Sequence, residues 1–266
     1  MIANCKSISH GKAAAEYDEQ KHVNGEHIAK EVARQDVYGL DGSEIIKEMQ
    51  EHQAHSSHKL KNAYFRIEIV PSKEERAEEW TDDQWRSVID EYSQRMGISD
   101  AQAFWVLHKR TDHDELPHVH GVVNRIDRKG KVLSDKFSQK RSIDVITKMT
   151  AERGQKTAVE VSQEERATIK EKAREALRGL KTYDFDSYRA ACADLGLVVR
   201  PNISPSGKRS GYYLSLHGSS REFKASSIDR ALTDSKISIT HQTERKAYER
   251  EQQEQQQSRK WGGWKL

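Results

Sequence analysis

An α+β fold (α/β in the broader sense) is predicted, with a central antiparallel sheet carrying a three-histidine metal site, helices on one face and a small C-terminal α/β module. Three observations predict it. The stretch His118-Val119-His120-Gly121-Val122-Val123-Asn124 is rich in valine. Strand side chains repeat every two residues, so His118, His120, Val122 and Asn124 share one face, and Val119, Gly121 and Val123 take the other. A second apolar run, Ala103 to His108, ends shortly before it. Two strands joined by a short polar stretch, here Lys109 to Pro117, can pair antiparallel, which brings His108 toward His118 and His120. Thr81 to Met96 is the clearest helix, with Trp85, Val88, Ile89 and Tyr92 at helical spacing.

The remaining elements follow in order. Gly11 to Lys21 reads as a short helix containing Ala13, Ala14, Ala15 and Tyr17. Asp41-Gly42-Ser43-Glu44 opens a second, with Ile45, Ile46 and Met49 as its apolar stripe. Ala63 to Val70 alternates as a strand does: Phe65, Ile67 and Ile69 point one way, and Tyr64, Arg66, Glu68 and Val70 the other. Thr81 with Gln84 makes a capping-box pattern, and Gly97 suits the left-handed residue that closes that helix. The histidine strand runs to about Asp127, and Arg128-Lys129-Gly130-Lys131 turns the chain into Val132-Leu133. Ser162 with Glu165 caps a long, strongly charged helix ending near Leu180. Asp186 opens a helix closed by Gly196. Val198-Val199, a turn at Ser204 to Gly207, Tyr212 to Leu216, a short strand Glu222 to Lys224 and a short helix Ile228 to Leu232 complete a second module. The organisation read from this is a principal domain at 1–155, a connecting helix at 156–182, a small α/β module at 183–240 and a charged tail at 241–266.

Composition sets bounds. Of 266 residues, 33% are charged and 35% hydrophobic, so the core is modest and the surface polar. No apolar run approaches the roughly 18 residues of a membrane span, so no membrane insertion is expected. The start, Met1 to Lys6, lacks the apolar segment of a signal peptide. Cys5 and Cys192 are too few and too scattered for a disulfide framework or a thiolate zinc site. A cytoplasmic protein with reduced thiols is expected. The net charge of +3 is unevenly spread: Pro71 to Asp100 holds 4 basic and 9 acidic residues, Gly121 to Thr150 holds 8 basic and 3 acidic. A basic stretch directly after the histidine strand fits either a polyanionic substrate or an ordinary solvated face.

Three imidazoles can hold a divalent metal and leave coordination positions open. Nitrogen ligation fits zinc, manganese, nickel or cobalt, and magnesium where substrate phosphate adds oxygen ligands. Such an ion polarises a phosphoryl oxygen. His113 competes with His108 for the third place, and His108 is preferred because it ends a strand. Asp112 and Glu68 are candidates for orienting an imidazole or moving a proton. Asp114 reads better as a solvated loop acid.

The pattern His108-Lys109-Arg110-Thr111-Asp112-His113, then Pro117-His118-Val119-His120-Gly121-Val122-Val123-Asn124-Arg125-Ile126-Asp127, then Gly130-Lys131-Val132, resembles the metal motif of conjugative relaxases. These are the mobilisation nucleases of the HUH endonuclease superfamily, and the likeness is to the MobA/MobP-like branch. The resemblance implies metal ligands at His108, His118 and His120, with manganese or magnesium favoured and zinc, nickel or cobalt possible. Ala13-Ala14-Ala15-Glu16-Tyr17-Asp18-Glu19-Gln20-Lys21 resembles the family's nucleophile motif and points to Tyr17. Some relaxases use histidine, which keeps His10 and His22 as rivals. Residues 185–237 resemble the small region that follows many mobilisation relaxase domains. The implied activity is site- and strand-specific nicking of DNA at an origin of transfer through a covalent 5′-phosphotyrosyl intermediate, which initiates conjugative mobilisation. The implied partners are single-stranded or hairpin origin DNA, accessory relaxosome proteins and a coupling protein, with the chain itself a monomer. DNA contacts are expected at Asn124, Arg125, Lys129, Lys131 and Lys136, and in the second module at Arg200, Lys208 and Arg209, with Arg221, Tyr212 and Tyr213 beside them. Whether the chain is a minimal relaxase or a piece of a longer one stays open.

Two alternatives remain. A rolling-circle replication initiator or single-strand transposase shares the chemistry, but the tyrosine before the histidine motif and the second module argue against it. A metal- or nucleic-acid-binding module without a nucleophile is the other.

Overall fold

The computed structural model describes residues 1–109 and 116–262, side chains excepted at 258–262. The chain divides into two compact units, Met1–Ala158 and Val159–Leu266.

The first unit contains strands β1 (Ile2–Ile8), β2 (His22–Val23), β3 (Glu26–His27), β4 (Ala29–Gln35), β5 (Tyr64–Val70), β6 (Ala103–His108) and β7 (His118–Asn124), and helices α1 (Gly11–Glu19), α2 (Gly42–Ala54), α3 (Asp82–Met96) and α4 (Ser138–Glu152). Five strands form one antiparallel sheet in the order β1-β5-β7-β6-β4, with the histidine strand β7 at its centre. β2 and β3 make a separate small hairpin.

Strand alternation sorts the core into two layers. Phe65, Ile67, Ile69, Trp105, Leu107, Val119 and Val123 face Trp85, Val88, Ile89 and Tyr92 of α3 and Ile146 and Met149 of α4. On the other face, Tyr64, Phe104, Val106 and Val122 pack against Ala14 and Ala15 of α1 and Ile45, Ile46 and Met49 of α2. The central antiparallel sheet is as expected, but the helices cover both faces rather than one. The reason is visible in β6, whose six residues are all buried: a strand apolar on both sides needs cover on both sides. Thr81 caps α3 with a complete capping box, and Gly97 closes it at φ 69°. Gly121 pairs across the sheet with Trp105, and a Cβ at Gly121 would lie 2.5 Å from the indole. The bare backbone there lets the tryptophan lie flat on the sheet.

Five elements of this unit are not apparent in the sequence pattern: β1, β4, α4 and the two-residue strands β2 and β3. β1 and β4 are edge strands carrying Lys6, Lys30, Glu31 and Arg34, charges that suit an exposed edge and weaken the alternation. α4 lies inside the basic stretch after β7, whose charge masks its apolar side of Ile146 and Met149.

The second unit holds α5 (Ala158–Gly179), α6 (Phe185–Asp194), strands β8 (Leu197–Ile203), β9 (Arg209–Leu216) and β10 (Phe223–Lys224), then α7 (Ala225–Ile228) and α8 (Ile237–Gly262). The strands form an antiparallel sheet in the order β10-β9-β8. Its core joins Ile169, Ala173 and Leu177 of α5 to Tyr188, Cys192, Val199, Tyr212 and Leu214. α5 is therefore part of this core, not a free connector. It starts before Ser162, which lies within it. Asp184, rather than Asp186, caps α6, accepting from the Ser187 amide at 2.9 Å. The expected tail at 241–266 begins inside α8, where His241 Nε2 bonds the Leu180 carbonyl at 3.0 Å and Glu244 binds Arg174 and Arg178.

Candidate active site

β6 ends at His108, and β7 begins at His118, its register partner. His120, two residues on, lies opposite Val106 on one side and Glu68 of β5 on the other. The three imidazoles thus share one face at one end of the sheet. Their ring centroids are 5.2 Å apart for His108–His118, 4.6 Å for His108–His120 and 4.9 Å for His118–His120. One nitrogen from each lies within 4.8 Å of the others, the spacing of a site able to hold a metal ion.

The outer nitrogens are held by the backbone. His118 Nδ1 donates to the Leu116 carbonyl at 2.7 Å, and His108 Nε2 donates to the Asp18 carbonyl at 2.7 Å. A ring nitrogen that donates leaves the other as a lone-pair ligand. His120 Nδ1 is buried without a hydrogen-bond partner. Burial pushes His108 down to about 4 and His120 to about 2, and neighbouring histidines and the Lys21 and Arg66 charges push the same way. Both rings are therefore held neutral, the form that ligates. The donor set, the orphaned nitrogen and the neutrality all fit a divalent metal.

α1 is tied to this cluster. The last carbonyls of a helix lack intrahelical donors; here imidazoles supply them. His108 bonds the Asp18 carbonyl, His27 the Glu19 carbonyl at 2.7 Å and His22 the Gln20 carbonyl at 2.7 Å. Arg66 of β5 anchors the same helix, bonding Asp18 Oδ1 at 2.5 Å and the Ala14 carbonyl at 3.3 Å. Asp18 is 2% exposed. Burial raises its carboxyl to about 6 against the opposing pull of Arg66. Tyr17, next to Asp18, is 56% exposed. Lys21 Nζ donates to its hydroxyl at 2.8 Å, and the Arg66 guanidinium lies 6.0 Å from its ring.

The remaining expected site residues fall differently. Glu68 pairs with His120 in register, as its place on β5 implied. His10 stands at the N-terminal end of α1, away from Asp18, and the His22 ring serves as a cap. Asp112, His113 and Asp114 lie outside the described residues. Asn124 and Arg125, expected at the DNA, are instead buried and hydrogen-bonded within the protein. Asn124 is fully buried, accepting from Gln53 Nε2 and the Ile126 amide and donating to Met49 and Gln102. Arg125 is 5% exposed, bonded to the Leu133 and Asn62 carbonyls, paired with Asp135 at 3.0 Å and laid on Phe65. Lys129, Lys131 and Lys136 are exposed. Lys129 and Lys131 sit in a turn whose amides both donate to Asp127 Oδ1 at 2.9 Å, beyond the far end of β7 from the histidines. In the second unit Lys208 is exposed, Arg200 is paired with Glu222 over the Tyr213 ring, and Arg209 is paired with Asp234 against Phe185. Arg221 reaches Glu165 at 3.5 Å. Tyr212 is buried, its hydroxyl donating to the Leu232 carbonyl, so it offers no surface to a base. Asp18, Lys21 and Arg66 were missed. Arg66 was legible from its place on the Glu68 face of β5, whereas Asp18 and Lys21 become significant only once α1 is set against the histidines.

The family model for the MobA/VirD2-like relaxase nuclease domain matches residues 17–155. The chain belongs to this relaxase family. The match runs from Tyr17 through the three histidines and lies within the first unit, and the relaxase is a DNA-nicking enzyme. Two solved structures are similar to it. One is the MobM relaxase domain (MOBV; Mob_Pre), manganese-bound with plasmid pMV158 origin-of-transfer DNA: 17% identity, 58% of this chain and 87% of that one, TM-score 0.40. The other is the conjugative relaxase TrwC in a metal-bound complex with origin-of-transfer DNA: 12% identity, 93% of this chain and 90% of that one, TM-score 0.39. No curated protein matches the relaxase.

Proposed function

We propose that this relaxase nicks one strand of DNA at an origin of transfer and keeps the 5′ end on Tyr17 as a phosphotyrosyl linkage, so initiating conjugative mobilisation. The observation that carries the reading is the 2.7 Å bond from His108 to the Asp18 carbonyl. It fixes the residue after Tyr17 against the histidine cluster, while the Tyr17 hydroxyl stays open to substrate. His108, His118 and His120 would hold the metal, with manganese or magnesium favoured. Such an ion supplies Lewis acidity toward a phosphoryl oxygen, drawing off the negative charge that grows there.

The chain's own groups do the rest. Tyr17 is the nucleophile, on a helix held by Arg66 and by imidazole caps. Glu68, the register partner of His120 on β5, is the carboxylate proposed to orient that ring or to move a proton. Lys129, Lys131 and Lys136, with Arg200, Lys208, Arg209 and Tyr213 of the second unit, are the groups proposed to touch DNA backbone and bases. Because Lys129 and Lys131 lie beyond the far end of β7, their role is to recognise flanking DNA rather than the scissile phosphate. The protein would work in the cytoplasm as a monomer, with accessory relaxosome proteins and a coupling protein.

The test uses single-stranded oligonucleotides tiled across the candidate origin, with a manganese or magnesium salt and a chelator control. Denaturing gels detect a protein–DNA adduct, and mass spectrometry maps it. The expected result is a metal-dependent adduct on Tyr17 that is absent from Tyr17→Phe. An adduct on His10 or His22 would keep the family chemistry and replace the nucleophile. DNA binding with no adduct under any metal would overturn the nicking reading.

A further inference from the structure

We infer that Lys21 is a catalytic residue of the nicking reaction, its ammonium carrying the negative charge of the Tyr17 oxygen as that oxygen attacks and again as it departs. The inference rests on Tyr17 being the nucleophile.

The geometry is local and doubly anchored. Lys21 Nζ donates to Tyr17 Oη at 2.8 Å and lies 5.1 Å from the ring centroid. A cation that donates to an oxygen gaining charge makes a hydrogen bond about twice as strong as a neutral one. The backbone carrying Lys21 does not swing freely. Just before it, the Glu19 and Gln20 carbonyls are taken by His27 and His22. The Lys21 carbonyl itself accepts from the Ile28 amide at 3.0 Å. The β2–β3 hairpin therefore closes back on the end of α1 and presents Lys21 on the side of the helix that holds the tyrosine hydroxyl. Among the described residues, two further charged groups near Tyr17 stand in other pairings. Arg66 of β5 lies 6.0 Å from the ring centroid and is paired with Asp18, and Glu16 of α1 is paired with Lys12 at 3.6 Å. Among the described residues, Lys21 is the cation whose bond reaches the reacting oxygen.

The chemistry balances without any further reactant than water. The phenol gives its proton to water, and Lys21, staying protonated, holds the resulting phenolate. A lone pair of Oη forms the bond to phosphorus. The phosphorus–O3′ bond breaks, and its electron pair leaves on the 3′ oxygen, which takes a proton from water. On resealing, the 3′ hydroxyl gives up its proton and attacks, and the phenolate departs onto the same ammonium.

The test compares wild type, Lys21→Gln and Lys21→Arg of the full chain on the origin oligonucleotide with manganese. It reads the rate of adduct formation against pH, the modified residue, the melting temperature and, in a Tyr17→Phe background, the affinity for DNA. Lys21→Gln is expected to form its adduct on Tyr17 about tenfold more slowly or worse, less than a buried donor would cost because the site is open. The rising limb of its rate–pH profile should move to higher pH, with DNA affinity within about twofold of the parent, and Lys21→Arg should restore most of the rate. Adduct on Tyr17 at the wild-type rate and pH dependence in Lys21→Gln would overturn the inference and leave the nucleophile standing. So would a rate loss matched by an equal loss of affinity with an unmoved profile, which would make Lys21 a DNA contact. A wild-type adduct on another residue would overturn the nucleophile, and this inference with it.

Discussion

Two of the three site histidines are buried and neutral, and this makes a signed prediction about the metal-free protein. In the unfolded chain, imidazoles protonate near 6.5; folded His108 and His120 resist until about 4 and about 2. Between those values the unfolded state binds more protons, so stability falls as pH drops from 6.5 toward 4, and it is regained as pH rises. With chelator present, the urea midpoint is expected to decline across that window, and His120→Gln should flatten the decline. Superimposable profiles would refute the assignment. At this scale the sequence was informative about the histidines and misleading about their neighbours. Alternation alone placed His118 and His120 on one face. Asn124 and Arg125 carried the same polar signal, yet they spend their hydrogen bonds inside the protein. Polarity in a sequence does not distinguish a residue that meets solvent from one that satisfies buried backbone.

At the scale of elements, the β6–β7 pair is set by a steric fit. Gly121→Ala would bring a Cβ to 2.5 Å from the Trp105 ring, in a strand fixed on both faces. Overpacking of this kind costs about 1–3 kcal/mol. The expected outcome is a lower denaturation midpoint with an unchanged denaturant slope, recovered in large part by adding Trp105→Leu. A midpoint equal to wild type would show that the sheet yields at no cost. The amphipathic helix α3 and strands β5, β6 and β7 were legible because their apolar periods are uninterrupted. β1, β4 and α4 were not, because edge charges and a basic surface break the period that would reveal them. The start of α5 was misjudged by a capping pattern that occurs by chance inside the helix.

For the whole molecule, the separation of the histidines from the lysine turn matters. From His120 to Asn124 the strand alone advances about 13 Å, and Lys129 and Lys131 lie beyond its end. Lys129→Gln with Lys131→Gln should therefore weaken binding of a long origin duplex or hairpin and lower its salt dependence by about one unit of slope per lost contact. Adduct formation on a short oligonucleotide spanning only the nick should be unaffected. Equal losses on both substrates would place these lysines near the chemistry instead. The second unit's basic excess, clear in the sequence, is largely neutralised in the fold: Arg200, Arg209 and Arg221 each have a carboxylate partner. Charge counting sees the cations but not the acids that the chain brings back from distant positions.

The tie between His108 and α1 ends on a main-chain oxygen. Every amino acid at position 18 brings that oxygen with it, so substitution there can unseat Arg66 but cannot erase the tie itself. Spacing is another matter. Removing one residue from Gly11–Glu19 would turn the helix by about 100° per residue lost. The carbonyl facing His108 would then belong to a different residue, and the tyrosine would be carried off its bearing. For the tie to His108, the count of residues from tyrosine to cap therefore matters more than the side chain at position 18, whose carboxylate serves the separate Arg66 anchor.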